Sequence, residues 1–244
     1  MSVSLPPNTF PKQYPFLTRQ EFEIAAKLFI AQSRKAGDTE VWNWVEHEKV
    51  KGFGYLCRSS IVPKVMDKDA GDLEEDITPM DDVNEQRVEV VEEEDPSVGI
   101  ALLDLIEFPT LLTRDEYLTV NYHIIFSTSY KVPVLYFNVC YDDGTPLKID
   151  EIYSHLVQPL RLDDIKTAGF YGGISQQDHP TLSIPFYFLH PCETATLMRS
   201  IVEFNTSENL EEERITLEGY IRSWLSFVGP VVGLKVGIEY FLEI

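Results

Sequence analysis

Basic residues are scarce: 20 lysines and arginines face 40 aspartates and glutamates, giving a formal charge of -20. A surface this negative repels a nucleic-acid backbone and an anionic membrane alike, so neither is an expected partner and another protein is. No run approaches the roughly 20 unbroken apolar residues that span a bilayer, and the N-terminus lacks the basic and apolar regions of a signal peptide. A cytosolic, soluble chain without stable membrane insertion is therefore expected. Cysteine is also sparse. Cys57, Cys140 and Cys192 are too few and too widely spaced for a disulfide framework or a Cys-rich zinc site, so each is weighed singly.

What the chain does have is apolar material, 44% of 244 residues, enough for one sizeable core and one domain. Thr18 and Glu21 form a capping box ahead of Phe22, Ala25, Ala26, Phe29 and Ile30, which predicts an amphipathic helix closing near Gly37. Trp42, Trp44 and the Phe53 to Cys57 run predict two antiparallel strands, with Gly52 and Gly54 placed for a hairpin. Between Met66 and Ser97 stand 14 acidic residues against Lys68 and Arg87, so this stretch supplies -12 of the total charge. It cannot bury enough apolar surface to offset its ordering entropy, and it is read as a loop insertion. A solvated tether is the default for such a block; an acidic docking strip for a basic partner is the other reading.

Tyr117 to Phe126 and Val132 to Tyr141 are β-branched and aromatic and predict a second hairpin. Thr145 to Leu189 is broken by prolines and glycines, with a short helix expected around Ile149 to Val157; so long an irregular connection marks a candidate site region. A helix is expected just after Cys192, and another over Leu217 to Val228, stopped by Gly229 and Pro230. Alternation from Val236 suggests a terminal strand. Strands segregated from helices give an α+β fold, an antiparallel four-stranded sheet covered by helices.

Cys192 lies in FYFLHPCET, Phe186 to Thr194, where a helix N-terminus favours a thiolate and Pro191 fixes the backbone. From the residues alone it reads either as a presented nucleophile or as a small buried hydrophobe. Cys57 and Cys140 fall inside predicted strands, where burial raises the thiol and a structural role dominates. A metal site from His179, His190 and Cys192 is rejected for want of a close ligand pair.

The blocks GISQQDHPTLSIPFYFLHPCET, VPVLYFNVCYDDGTPL and SWLSFVGPVVGL closely resemble the autophagy-related protein ten family of E2-like conjugating enzymes, over most of Tyr117 to Leu234. That resemblance implies a ubiquitin-conjugating-enzyme-like fold in which Cys192 takes a ubiquitin-like modifier, autophagy-related protein twelve, as a thioester. The donor is the E1-like autophagy-related protein seven, and the acceptor is a lysine of autophagy-related protein five. No zinc, nucleotide or flavin cofactor is implied, because ATP is consumed by the E1.

A thioester exchanged twice needs an exposed cysteine that is both nucleophile and leaving group. The asparagine that ordinary E2 enzymes place before the cysteine is missing here. His190 either donates to the oxyanion or caps the loop backbone. Tyr136 and Asn138 share one face of the fourth strand with Val132, Val134 and Cys140, and either assists transfer or merely packs. His179 reads as a loop anchor. The competing functions are a cysteine hydrolase using His179 or His190 as base, and a non-catalytic scaffold.

Deleting residues 66 to 97 should leave folding and Cys192 charging intact. Thermal melts of the deleted chain check this, and a large fall in melting temperature would place the segment in the core.

Overall fold

The computed structural model describes residues 9–37, 40–48, 50, 53–65, 117–157, 173–205 and 215–237. The acidic stretch 66–97 lies outside them, as does the second unit of the chain, Asp67–Arg114.

Helix α1 spans Arg19–Lys35 and starts as the capping box requires: Thr18 Oγ1 accepts from Glu21 N at 3.2 Å, and Glu21 Oε2 accepts from Thr18 N at 2.7 Å. Gly37, with φ of 72°, takes the left-handed conformation just past its end. Strands β1 (Asn43–Val45), β2 (Tyr55–Pro63), β3 (Tyr117–Ser127) and β4 (Val132–Cys140) form an antiparallel meander. Helix α2 (Ile149–His155) follows, then β5 (Ile174–Asp178) and β6 (Pro185–Leu189). A 3-10 turn, Pro191–Glu193, leads into α3 (Thr194–Asn205), and α4 spans Leu217–Val228.

The strand order is β1-β2-β3-β4-β6-β5, so the sheet among the described residues has six strands where four were expected. The two extra strands come from the connection read as irregular. β5 is the polar sequence ISQQD, without apolar alternation, and β6 opens on Pro185, which a strand tolerates only at its first residue or an edge. Helix α4 ends at Val228 with Gly229 as its C-cap, where the sequence places its stop, and a 3-10 turn, Gly229–Val232, follows. Gly233, at φ of 73°, ends it. Leu234–Gly237 form no strand, and the rest of the expected terminal strand lies outside the described residues.

Alternation fixes the two faces of the sheet. Leu118, Val120, Tyr122 and Ile124 of β3, with Leu135, Phe137 and Val139 of β4, point to the helices and are buried in the main core. α1 contributes Phe22, Ala26 and Phe29 to it, and α4 contributes Tyr220, Ile221 and Trp224. Long-range hydrogen bonds tie the layers: the Tyr122 hydroxyl donates to Val232 O at 2.6 Å, and the Tyr220 hydroxyl donates to Pro15 O at 2.5 Å. The opposite face carries a second apolar cluster, Tyr55, Ile125, Val134, Tyr136, Phe186 and Phe188. β4 is accordingly buried on both sides from Val132 to Phe137.

Trp224 is 1% exposed at the centre of the main core. Trp224→Ala should cost roughly 3 to 5 kcal/mol in denaturant unfolding, a large share of a domain's stability. Wild-type stability in that variant would move the tryptophan out of the core.

Candidate active site

β6 delivers the cysteine. It pairs antiparallel with β4 through Tyr136↔Phe188 and Phe137↔Tyr187, and it ends at Leu189, where His190 and Pro191 turn the chain. Proline at 191 biases the preceding residue to an extended conformation, and His190 takes φ of -66° and ψ of 128°. From that geometry the His190 ring turns back and its Nδ1 accepts the Cys192 N–H at 3.3 Å. Pro191 is buried and Cys192 is exposed at the first helical turn, which runs on into α3.

The other two cysteines are half-buried in strands. Burial pushes both thiols up, and Asp143 adds to the effect at Cys140. Neither offers a ready thiolate.

The Cys192 N–H occupying Nδ1 assigns the proton of the neutral His190 ring to Nε2. Of the two readings the sequence left open for His190, the structure displays the cap, and the ring keeps an Nε2–H beyond it. Its ring meets Tyr130 edge-on at 5.5 Å.

The strand registers order the remaining candidates in rows across the outer face. Cys57, His123, Tyr136, Phe188 and Ser175 stand abreast over β2, β3, β4, β6 and β5. Continuing the β4–β6 register sets Val134 opposite His190, so Tyr136 stands one row, roughly 7 Å, from His190. Asn138 stands opposite Phe186, two rows or roughly 13 Å away. With its amide oriented to satisfy both atoms, Asn138 donates to Phe137 O and Pro185 O at 3.3 Å each. The structure therefore brings Tyr136 towards the cysteine loop and leaves Asn138 apart from it.

Tyr136 is 5% exposed, stacks on Phe188 with ring centres 5.4 Å apart, and accepts a hydrogen bond from Gln177 Nε2. Burial raises its phenol, and the Gln177 bond partly opposes this. The hydroxyl keeps its own hydrogen to donate. A cleft of about 500 Å3 opens between these groups, lined by Tyr130, Tyr136, Gln177, Phe188, His190 and Pro191 among others. It lies beside the cysteine loop.

His179 and His123 form a pair that the sequence did not suggest. Their Nε2 and Nδ1 atoms lie 2.9 Å apart, across 56 residues of chain. Nδ1 of His179 accepts from Thr181 N and Leu182 N at 3.1 Å each. With both nitrogens engaged, His179 offers no base to Cys192, which removes it from the hydrolase reading. Among the described residues no group of three or more His, Cys, Asp or Glu side chains is arranged to hold a metal ion.

Comparison with known proteins settles the class. The family model described as autophagocytosis associated protein, active-site domain, matches residues 21–239. The chain belongs to that family. It is 32% identical over 231 residues to the human "Ubiquitin-like-conjugating enzyme ATG10", covering 92% of each chain. The relative of the same name from Arabidopsis thaliana is 29% identical over 230 residues, covering 91% of this chain and 94% of its own. A solved structure described as autophagic E2, Atg10, overlaps with a TM-score of 0.43 at 13% identity, over 90% of this chain and 99% of that one, a weak likeness. As a member of this family the chain is an E2-like conjugating transferase of autophagy. No helix among the described residues is long and apolar enough to cross a membrane.

Burial holds His123 and His179 down at about 4; the neighbouring His179 adds to the effect at His123. In the unfolded chain both titrate near 6.5, so between about pH 6.5 and pH 4 the unfolded state binds more protons. Their contribution is complete above that window and is lost as pH falls through it. Thermal melts of wild type and of the His123→Phe/His179→Asn variant should converge as pH drops from 7 to 4, with the variant showing the shallower dependence; other acidic groups cancel in the difference.

Proposed function

We propose that Cys192 carries autophagy-related protein twelve as a thioester, receives it from the E1-like autophagy-related protein seven, and passes it to a lysine of autophagy-related protein five in the cytoplasm. The single observation that supports this best is the contrast among the cysteines: Cys192 is exposed at a helical turn, whereas Cys57 and Cys140 are half-buried with raised thiols.

The chemistry is two acyl transfers. In the first, the Cys192 thiolate attacks the carbonyl of the E1 thioester, a new C–S bond forms, and the E1 thiolate leaves. In the second, the neutral acceptor amine attacks the same carbonyl, the C–S bond breaks with its electron pair on the Cys192 sulfur, the nitrogen gives its proton to solvent or to that thiolate, and an isopeptide bond remains. No electron is gained or lost. Each step passes through a tetrahedral oxyanion, and in the second, aminolysis, the positioned donor that stabilises it falls to this chain. His190 suits that role because its Nδ1 is engaged and its Nε2–H is available beside the cysteine. Tyr136 suits a second role in the cleft, lending its hydroxyl to the incoming amine or oxyanion. Asn138 is a weaker candidate, since it stands two rows away.

With E1, ATP and modifier, the wild-type chain should form an adduct that thiol reductant destroys. Cys192→Ala should form none, and Cys192→Ser should form a reductant-resistant oxyester. Charging that survives in Cys192→Ala, or is lost in folded Cys57→Ser or Cys140→Ser, would overturn the assignment. His190→Ala should keep charging while slowing transfer by about 10- to 1000-fold, the range for losing one oxyanion donor. Parallel loss of both steps would reduce His190 to a cap.

A further inference from the structure

The outer face of the sheet holds two imidazoles, His179 buried and His123 half-buried, that the acyl-transfer chemistry does not use. His123 stands on β3 in the row of Tyr136, and His179 comes from the turn between β5 and β6. The His179 residue is 1% exposed, and its ring packs against Tyr55 and Phe186 at 4.9 Å and Tyr136 at 5.8 Å. Polar rings survive in such a place only when their nitrogens are satisfied.

The hydrogen bonds leave one assignment of protons. Nδ1 of His179 accepts two backbone N–H groups, from Thr181 and Leu182, so its proton sits on Nε2. That Nε2–H then donates to Nδ1 of His123. The backbone of His179 is engaged as well: its N–H donates to Ile184 O at 2.8 Å, and its carbonyl accepts from Ser183 N at 2.9 Å. Ser183 has φ of 54°, a left-handed conformation that a serine adopts only when its surroundings hold it there. One residue thus closes the turn on itself and bolts it to β3.

Gln177 lies two residues before this hub, on the exposed strand β5, and reaches across to the Tyr136 hydroxyl in the cleft. The placement of that amide depends on where the turn pins the end of β5. We propose that His179, held by His123, is a positioning residue for modifier transfer, fixing the β5–β6 turn so that Gln177 keeps the Tyr136 hydroxyl aimed into the cleft beside the cysteine loop. This rests on the reading of Cys192 as a thioester carrier. Neither histidine touches the reacting atoms; the group they position, Tyr136, serves the incoming amine, so the effect belongs to transfer and not to charging.

The test separates those two steps in the full-length chain. His179→Asn retains a side-chain oxygen able to cap backbone N–H groups of the turn but loses the link to β3. His123→Phe keeps ring packing and removes the acceptor. Gln177→Ala, on an exposed edge, leaves the core untouched. Each variant is charged with E1, ATP and modifier, and single-turnover discharge to the acceptor protein is then followed. All three should charge as wild type does and discharge about tenfold to a hundredfold more slowly, the scale of a small misplacement of a reacting group. Tyr136→Phe should show the same defect, and adding His179→Asn to it should slow discharge no further, because the two act through one group. Wild-type discharge in folded Gln177→Ala, or additive defects in the double variant, would overturn the proposal while leaving the carrier reading intact. A wild-type chain that cannot be charged at all would sink the carrier reading, and this proposal with it.

Discussion

The site hangs on the pairing of β6 with β4. Two registered pairs, Tyr136↔Phe188 and Phe137↔Tyr187, decide which residues of β6 face the helices and which face the cleft. Side chains in a strand alternate, so a slip of one residue would send Phe188 into the main core and Leu189 out of it. Burial forbids the slip. β4 is covered on both faces, and Leu189 belongs to the main core while Phe186 and Phe188 belong to the outer cluster. The same register sets where β6 ends, and the end of β6 is where Cys192 becomes exposed.

That constraint explains why the outer face is aromatic and not solvated. A sheet with one wet face would leave β5 and β6 weakly registered, since ISQQD offers no apolar alternation to hold it. Stacking of Tyr136 on Phe188, and the packing of Tyr55, His123, His179 and Phe186 around one another, supply the second covered face locally. The polar atoms inside it are paired in a connected set, which rigidifies such a cluster where unpaired groups would loosen it.

Local signals were strong where an element announces itself within one window. The capping box of α1, the β3–β4 hairpin and the apolar stripe of α4 were legible because periodicity and caps lie in contiguous sequence. β5 and β6 were not. One is a polar edge strand, the other a five-residue apolar run opening on proline, and both take their identity from the partner strand alone. The face shared by Tyr136 and Asn138 followed from alternation, but alternation carries no distance along the strand, and only the register separates the two. The His123–His179 contact had no local signature at all, since it joins a strand to a turn 56 residues away. The QQDHP block pointed to His179 as a loop anchor, without its partner.

His179 and His190 turn out to be the same device used twice. Each precedes a proline, and each folds its ring back so that Nδ1 accepts the N–H two residues on, at Thr181 and at Cys192. The proline disfavours a helical conformation for the histidine, and the ring supplies the acceptor that the turn then requires. In both rings the proton is driven to Nε2. What differs is the surroundings of that proton. At His179 it is spent inside the fold, on His123, and holds a wall of the cleft in place. At His190 the ring borders the cleft next to an exposed thiol, so the same tautomer keeps its proton for the donor role proposed above. One local rule, applied just past the ends of β5 and β6, therefore yields a structural bolt and a candidate catalytic donor, and their surroundings distinguish them.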